Sequence, residues 1–532
     1  MLSKLFPQRP KRVLAALLSA AVLSTGAPLG QAQVNLPALG DSVSQDLDIG
    51  RERSIGDEVM REIWLDPDYV DDPLLQEYLD GTWQPLIEAA RKLGNISDET
   101  SERFAWQTFL VRDKSINAFA LPGGFVGVHL GLIAMTGSRD ELASVLGHEM
   151  SHVTQRHIAR RIAGDSRNSL LATAGLLLGL IAASRGHGSP DMANAAIVGS
   201  QAAAQAASLA FSRDMEREAD RVGYNVMVAG GYAPGGMYSM FERMEQAYQL
   251  QDSGSYPYLR SHPLTSERIG DARSRIGPRD PVRPRGNAEH ALMAARARVL
   301  MDPRAEAWAV LQNLDAGARD TQTGPNKAFD QLAARYASTL ASIKMRNFNR
   351  AENSLRSAEA MLKDIGDDQR ADRLLVYLRA ELDQAREHAA DGFAALQKLS
   401  GERSRPMMMM RAQLAMVDQN PASARDSAET LQTHVSLMPR DALAWQELAQ
   451  LWTKLGQPLR SVRAQGEARA AVGDLNGAID RLRSGLRQSK GRDADQIEAA
   501  VIDARLRTLL YQRRQLLAEL YPRGVPPGAE LP

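Results

Sequence analysis

His148 and His152 stand four residues apart in the run Leu146-Gly147-His148-Glu149-Met150-Ser151-His152, with a glutamate directly after the first histidine. On a helix this spacing stacks both imidazoles on one face, so both can reach a single ion. Glu149 then points toward a water beside that ion, where a carboxylate serves as general base in metal-assisted hydrolysis. An ordinary helix with two surface histidines has the same spacing, so the context decides. A hydrolytic zinc site needs a third protein ligand and one open position. Glu216 and Asp220, in Arg213-Asp214-Met215-Glu216-Arg217-Glu218-Ala219-Asp220, share a helix face, whereas Glu218 points elsewhere. Glu216 is the candidate carboxylate ligand. Asp220, one turn on, is the candidate acceptor for the remaining N–H of a ligand histidine. The competing reading is a solvated helix in which Arg213, Arg217 and Arg221 pair with these acids.

The elements that must position these groups are also legible. Ser138-Arg139-Asp140-Glu141 reads as a capping box opening the histidine helix, with Leu142, Val145, Leu146 and Val153 as its core stripe. This helix is expected to run to about Ile162, where Gly164-Asp165-Ser166 offers a stop. Asn117–Leu121 and Phe125–His129, around Pro122-Gly123-Gly124, read as two extended segments and a turn. A strand there is either an ordinary core hairpin or an edge that pairs with an extended substrate by main-chain hydrogen bonds. His129 within it is expected to be structural. Between the two acid–histidine motifs, residues 170–183 are apolar but shorter than the ~20 residues that span a bilayer. Arg185–Pro190 breaks the tract, and an alanine-rich stretch follows to Phe211. A buried helical hairpin is the preferred reading of 170–211, ahead of a lid or a peripheral membrane contact, and His187 is a loop residue. In Ser261-His262-Pro263-Leu264-Thr265 the proline forces residue 262 to be extended, and Thr265 or Ser266 can cap a following helix.

The chain has 532 residues, with 64 lysines and arginines against 64 aspartates and glutamates, so no bulk charge calls for nucleic acid. Lys4, Arg9, Lys11 and Arg12 precede an apolar stretch from Val13 to Leu23 and small residues at Gly30-Gln31-Ala32. Residues 1–32 therefore read as a cleavable export signal. The absence of cysteine excludes thiolate zinc sites, cysteine-protease chemistry, disulfides and lipid attachment at cysteine. The expected layout is a metalloprotease domain over 33–277, a proline- and arginine-rich linker over 278–287, a helical repeat domain over 288–525 and a tail over 526–532. Breaks at Arg346–Asn349, Gln419–Pro421, Leu455–Pro458 and Val472–Leu475 punctuate the repeats. Gly456 and Gly473 lie half of a 34-residue period apart. Trp445, Leu448, Ala449, Trp452 and Ala478 fit tetratricopeptide-like spacing, with a generic bundle as the alternative. The run Met407–Met410 reads as core rather than as an adaptable groove.

Asn117–Gly124, His148–His152, Glu216–Asp220 and Ser261–Thr265 together resemble the HtpX-like and CAAX-prenyl-protease-like zinc metalloproteases, a gluzincin family. The resemblance implies a mainly α fold: a gluzincin-type α+β domain with a small sheet, then a tetratricopeptide-like solenoid. It implies one Zn2+ per chain on His148, His152 and Glu216, with Glu149 as base and Asp220 in support. It also implies that His262 can fill the open zinc position and must leave before substrate enters. With its export signal and repeat tail, the chain most resembles periplasmic members, which implies a periplasmic or outer-membrane-associated protein acting on unfolded or stalled outer-membrane proteins. The resemblance also implies contact with the outer-membrane barrel assembly machinery through the repeat domain. The alternative function is a chaperone or assembly scaffold whose zinc is structural.

Overall fold

The structure, a computed structural model, describes residues 47–164, 212–250, 257–317, 326–366, 368–488 and 496–520. The expected export signal, the tract 170–211 with His187, and the tail 526–532 lie outside these residues. Among the described residues no helix is long and apolar enough to cross a membrane.

The first half is α1 (Ile49–Leu65), β1 (Tyr69–Val70), α2 (Pro73–Lys92), α3 (Asp98–Arg103), β2 (Gln107–Val111), β3 (Ala118–Leu121), β4 (Phe125–His129) and α4 (Leu130–Met135). There follow α5 (Arg139–Thr154), α6 (His157–Gly164), α7 (Arg213–Ala229), α8 (Gly235–Leu250), α9 (Pro257–Ser261) and α10 (Ser266–Ser274). In the second half every element among the described residues is a helix, starting at α11 (Ala288–Leu300). The fold is thus mainly α with one small sheet, as the sequence predicts.

The strands form one sheet in the order β1-β2-β4-β3. β2 and β4 are parallel, while the β1–β2 and β3–β4 pairs are antiparallel. β4 is central and every residue in it is buried, as expected for a strand covered on both faces. The expected hairpin is present, and its first strand, β3, is an edge. His129 is buried in β4 with Nδ1 2.9 Å from Ser115 Oγ, a structural setting.

Ser138 caps α5, its Oγ accepting the Glu141 N–H at 3.2 Å. Only half of the expected capping box forms. The Glu141 carboxylate accepts the Gly137 N–H at 2.6 Å and bonds Ser239 and Arg243 of α8 instead of turning back on Ser138. The helix also ends earlier than predicted, at Thr154 rather than near Ile162. Arg156 sits at φ +51°, and the chain restarts as α6. Tertiary contacts impose this break: Arg156 is buried, with Nε donating to Glu52 Oε2 at 2.9 Å and Nη2 to the Leu47 carbonyl at 2.5 Å. A local pattern of helix formers could not show it.

α5 and α7 cross with their backbones in contact. A Cβ on Gly223 would fall 2.8 Å from the Gly147 carbonyl carbon, and one on Gly147 would fall 3.0 Å from the Gly223 oxygen. Two glycines at the crossing therefore let the helices come closer than the usual 8–10 Å separation set by side chains. That approach carries Glu216 and Asp220 across to the histidine face.

One hydrophobic core runs without interruption from the sheet, α2, α5 and α7 through α11 into helices as far along as Leu414. A second cluster spans Met409 to Ala468 and a third Leu459 to Leu509. Helix pairs 327–344/348–365, 369–385/389–396 and 442–454/458–471 each turn on one residue of positive φ: Arg346, Glu387 and Gly456. Gly473, at φ +85°, makes the next turn. The two glycine breaks are those the sequence shows most plainly; the turn at Arg386–His388 has no glycine or proline and escapes a reading by composition. Trp445, Leu448, Ala449, Trp452 and Ala478 are all buried, as are Met407, Met409 and Met410, which belong to the core.

Candidate metal centre

Two helices and one loop bring the predicted residues together. α5 supplies His148, Glu149 and His152; α7 supplies Glu216 and Asp220; His262 follows α9. His148, His152, Glu216 and His262 each offer a donor atom, all within 4.8 Å of one another, and all four residues are buried. The histidine Nε2 atoms of 148 and 152 lie 3.0 Å apart, and His148 Nε2 lies 3.3 Å from His262 Nδ1. Glu216 Oε1 is 2.9 Å from His262 Nδ1 and 3.7 Å from His152 Nε2, while Oε2 is 3.5 Å from His148 Nε2. Ligands bound to zinc at about 2.0–2.1 Å in a tetrahedron would be separated by roughly 3.3 Å. The observed separations bracket that value, and three imidazole nitrogens with one carboxylate are a donor set suited to zinc.

The charges around these atoms are ordered. Burial disfavours a charged His148, but the Asp220 and Glu216 carboxylates outweigh it and lift its pKa to about 9. Burial, with the neighbouring imidazoles, pushes His152 well below the ordinary value. Burial likewise opposes ionisation of Glu216, yet His262 and His148 hold it far below the usual carboxylate range. Asp220 Oδ1 is 2.9 Å from His148 Nδ1. Asp220 is itself gripped by Arg268, with Nε at 2.6 Å from Oδ2 and Nη2 at 2.8 Å from Oδ1. Arg268 Nη1 also lies 2.9 Å from Glu216 Oε2. Arg217, one of the alternative partners, instead pairs with Asp214 and Glu267 on the surface.

Glu149 is fully buried and its pKa is raised by that burial. Its Oε2 accepts the Ala120 N–H of the edge strand β3 at 3.1 Å, while Oε1 has no hydrogen-bond partner among the described residues. A buried carboxylate oxygen left unpaired costs on the order of 1–3 kcal/mol or more. Such a group is paired once water or substrate enters beside it. His262 stacks on Tyr258, ring centroids 4.7 Å apart, and its Nε2 is 3.7 Å from Glu149 Oε1. It thus stands between the donor cluster and the base.

Residues 77–276 match the model of peptidase family M48. The chain carries an M48 metallopeptidase domain. The β-barrel assembly-enhancing protease of Escherichia coli is 27% identical over 521 residues, covering 97% of this chain and 99% of that protein. The putative β-barrel assembly-enhancing protease of Vibrio cholerae is 29% identical over 493 residues, 91% of this chain and 94% of its own. Mitochondrial metalloendopeptidase OMA1 of Schizosaccharomyces pombe is 34% identical over 167 residues, 31% of this chain and 44% of its own. The enzyme is therefore a zinc metalloprotease, and its M48 domain contains every donor described above.

Sequence reading missed several residues that shape this M48 site. Arg268 is one; its only signal was an arginine one turn into the helix that Thr265 caps at 3.3 Å. Tyr258, one turn before His262, is another. His157 lies beside His152 with Nδ1 atoms 2.9 Å apart, and it reaches Glu218 on its other side. No periodicity finds it, because the break at Arg156 brings it there.

Proposed function

We propose that this chain is an exported zinc endopeptidase that acts in quality control and assembly of outer-membrane β-barrel proteins, cutting unfolded or stalled forms. The observation that carries the substrate class is that likeness to the β-barrel assembly-enhancing proteases spans both halves of the chain, 97% of it in the Escherichia coli case. The domain limits of the sequence reading, protease over 33–277 and repeats over 288–525, belong to this proposal, as does recruitment of the barrel assembly machinery by the repeats. So do the periplasmic address and association with the outer membrane.

His148, His152 and Glu216 would hold one zinc ion. Zinc there supplies Lewis acidity, lowering the pKa of water and polarising the scissile carbonyl. Glu149 takes the proton from the attacking water and delivers it to the leaving amine, worth about 10²–10⁴ in rate. Asp220 keeps the Nδ1 proton on His148, so that Nε2 stays a donor to the metal, and Arg268 keeps Asp220 ionised. β3 is an edge strand among the described residues, and the bond from its Ala120 N–H to Glu149, which puts that edge beside the base, supports substrate docking there. An extended peptide adding to that edge would be held by main-chain hydrogen bonds with little sequence demand. His262 is proposed as a fourth, self-inhibiting ligand. Its stacking on Tyr258 and its position before Glu149 support this role, and substrate entry requires that it leave.

The test is cleavage of casein and of an unfolded outer-membrane barrel protein by the mature protein with zinc present. The Glu149→Gln variant loses cleavage, His262→Ala gains it, and the folded barrel is spared. Cleavage that survives Glu149→Gln unchanged defeats the enzyme assignment and favours a scaffold. A His262→Ala enzyme slower than wild type removes the inhibitory role, and equal cutting of folded and unfolded barrels removes quality control.

A further inference from the structure

We propose that His157 and Glu218 are positioning residues of the metal centre, fixing the tautomer and aim of His152 through a hydrogen-bond chain. The proposal rests on the reading of His152 as a zinc ligand. For His152 to bind through Nε2, its proton must sit on Nδ1. His157 Nδ1 lies 2.9 Å from that atom and accepts the bond. The proton of His157 is then on Nε2, which donates to Glu218 Oε2 at 3.0 Å. Arg160 Nη2 donates to the same oxygen at 2.8 Å. Every donor in the chain therefore meets an acceptor, and only one direction of the chain leaves His152 Nε2 free to bind metal.

The His148 arm repeats this construction without the intermediate ring. There Asp220 meets Nδ1 directly and Arg268 holds the carboxylate. Both ligand histidines of α5 are thus oriented by an acid that is fixed by an arginine, directly for His148 and through His157 for His152. His157 is fully buried, with its ring edge-on to His152 at 4.8 Å between centroids.

The backbone supports the same conclusion. In an uninterrupted helix, residue 157 would be rotated about 140° from residue 152 and would face away from it. The left-handed Arg156 ends α5 and turns His157 back. A non-glycine residue adopts that conformation at a cost, met here by the bonds of Arg156 to Glu52 and to the Leu47 carbonyl. The segment is bent so that an imidazole meets an imidazole.

The deciding experiment measures zinc affinity of the full mature chain by competition with a chromophoric chelator. Metal-free thermal midpoints report folding. His157→Leu weakens zinc binding about 10–100-fold, the range for lost outer partners of ligand histidines, while the metal-free midpoint stays near wild type. His157→Asn, which keeps an acceptor near the Nδ1 position, recovers part of the loss. Glu218→Gln, which keeps an acceptor but not the charge, gives a smaller loss than Glu218→Ala. Wild-type affinity in a folded His157→Leu protein overturns the proposal. Should that variant not fold, unchanged affinity in Glu218→Ala overturns it equally. Failure of the underlying metal reading looks different: wild type binds no zinc, or His148→Ala binds as wild type does.

Discussion

Two of the places where this protein buries charge are built in opposite ways. At the junction between the halves, Asp72 meets Arg296 with both oxygens, at 2.8 and 2.7 Å, and the Leu75 N–H at 3.0 Å. The third nitrogen of Arg296 reaches Glu381 at 2.8 Å and the Tyr336 hydroxyl at 3.2 Å. Beside it Arg405 spans Asp71 and Asp441, and Asp441 also holds His434 at 2.7 Å. At the metal centre, by contrast, ring nitrogens face one another at 3.0 Å and Glu149 Oε1 has no hydrogen-bond partner among the described residues. A closed network serves the fold, whereas an incomplete one, held in place by complete partners around it, is arranged for something that enters. Burial alone does not tell these apart; the accounting of donors and acceptors does.

The sharpest way to break the contrast is to remove one charge from each. Arg296→Met leaves Asp72 and Glu381 unpaired in the interior and should cost about 3–5 kcal/mol in urea unfolding. Glu149→Gln should leave stability equal or slightly higher while cleavage falls about 10²–10⁴-fold. A stability loss at Glu149 as large as that at Arg296 would erase the distinction. Zinc should next separate the two regions: at a free concentration 100 times its dissociation constant it adds about 2.7 kcal/mol to the folded state. That increment should persist in Arg296→Met and vanish in His148→Ala. Gly223→Ala probes the helix crossing, since its Cβ meets the Gly147 backbone at 2.8 Å. The overpacking should cost about 1–3 kcal/mol, with weaker zinc binding as a second readout.

The smallest effect concerns His290, whose ring joins Tyr78 to the Thr136 carbonyl at the junction. Burial lowers its pKa from 6.5 to about 4, against the pull of the Thr136 carbonyl. Between those values the unfolded chain takes up a proton that the folded chain refuses. Its stabilising contribution is therefore complete above pH 6.5 and declines as pH falls toward 4. At pH 5.5 the decline should be about 1 kcal/mol. It should appear as the difference between wild type and His290→Gln, which isolates this histidine from the others; parallel pH profiles would remove the effect.

Much of the candidate site was legible because its members obey helix spacing. His148, Glu149 and His152 are set by one turn of α5, and Glu216 and Asp220 by one turn of α7. Ser138, Thr265 and the Pro122–Gly124 turn announced themselves because caps and turns depend on nearest neighbours. Tyr258 was not legible, since the five-residue α9 that sets it against His262 is too short to give a periodic signal; Arg268 was not, since it meets Asp220 across elements distant in sequence. The early end of α5 was missed for the same reason, being decided by Glu52, about a hundred residues upstream. In the second half, glycine turns were visible, but the turn at Glu387 was not, because packing rather than residue type selects its conformation.

The amino-acid sequence by itself determined the chemistry available: a histidine pair with a base between its members, an acid pair one turn apart, and no thiol to compete. Local spacing suffices for that, because side chains on one helix are neighbours whatever the rest of the chain does. Tertiary structure alone decided that the two pairs meet, that His262 stands before the base, and that His157 turns back on His152. Those outcomes depend on how closely α5 and α7 approach at Gly147 and Gly223 and on what pins Arg156, and both are set by contacts between residues far apart along the chain.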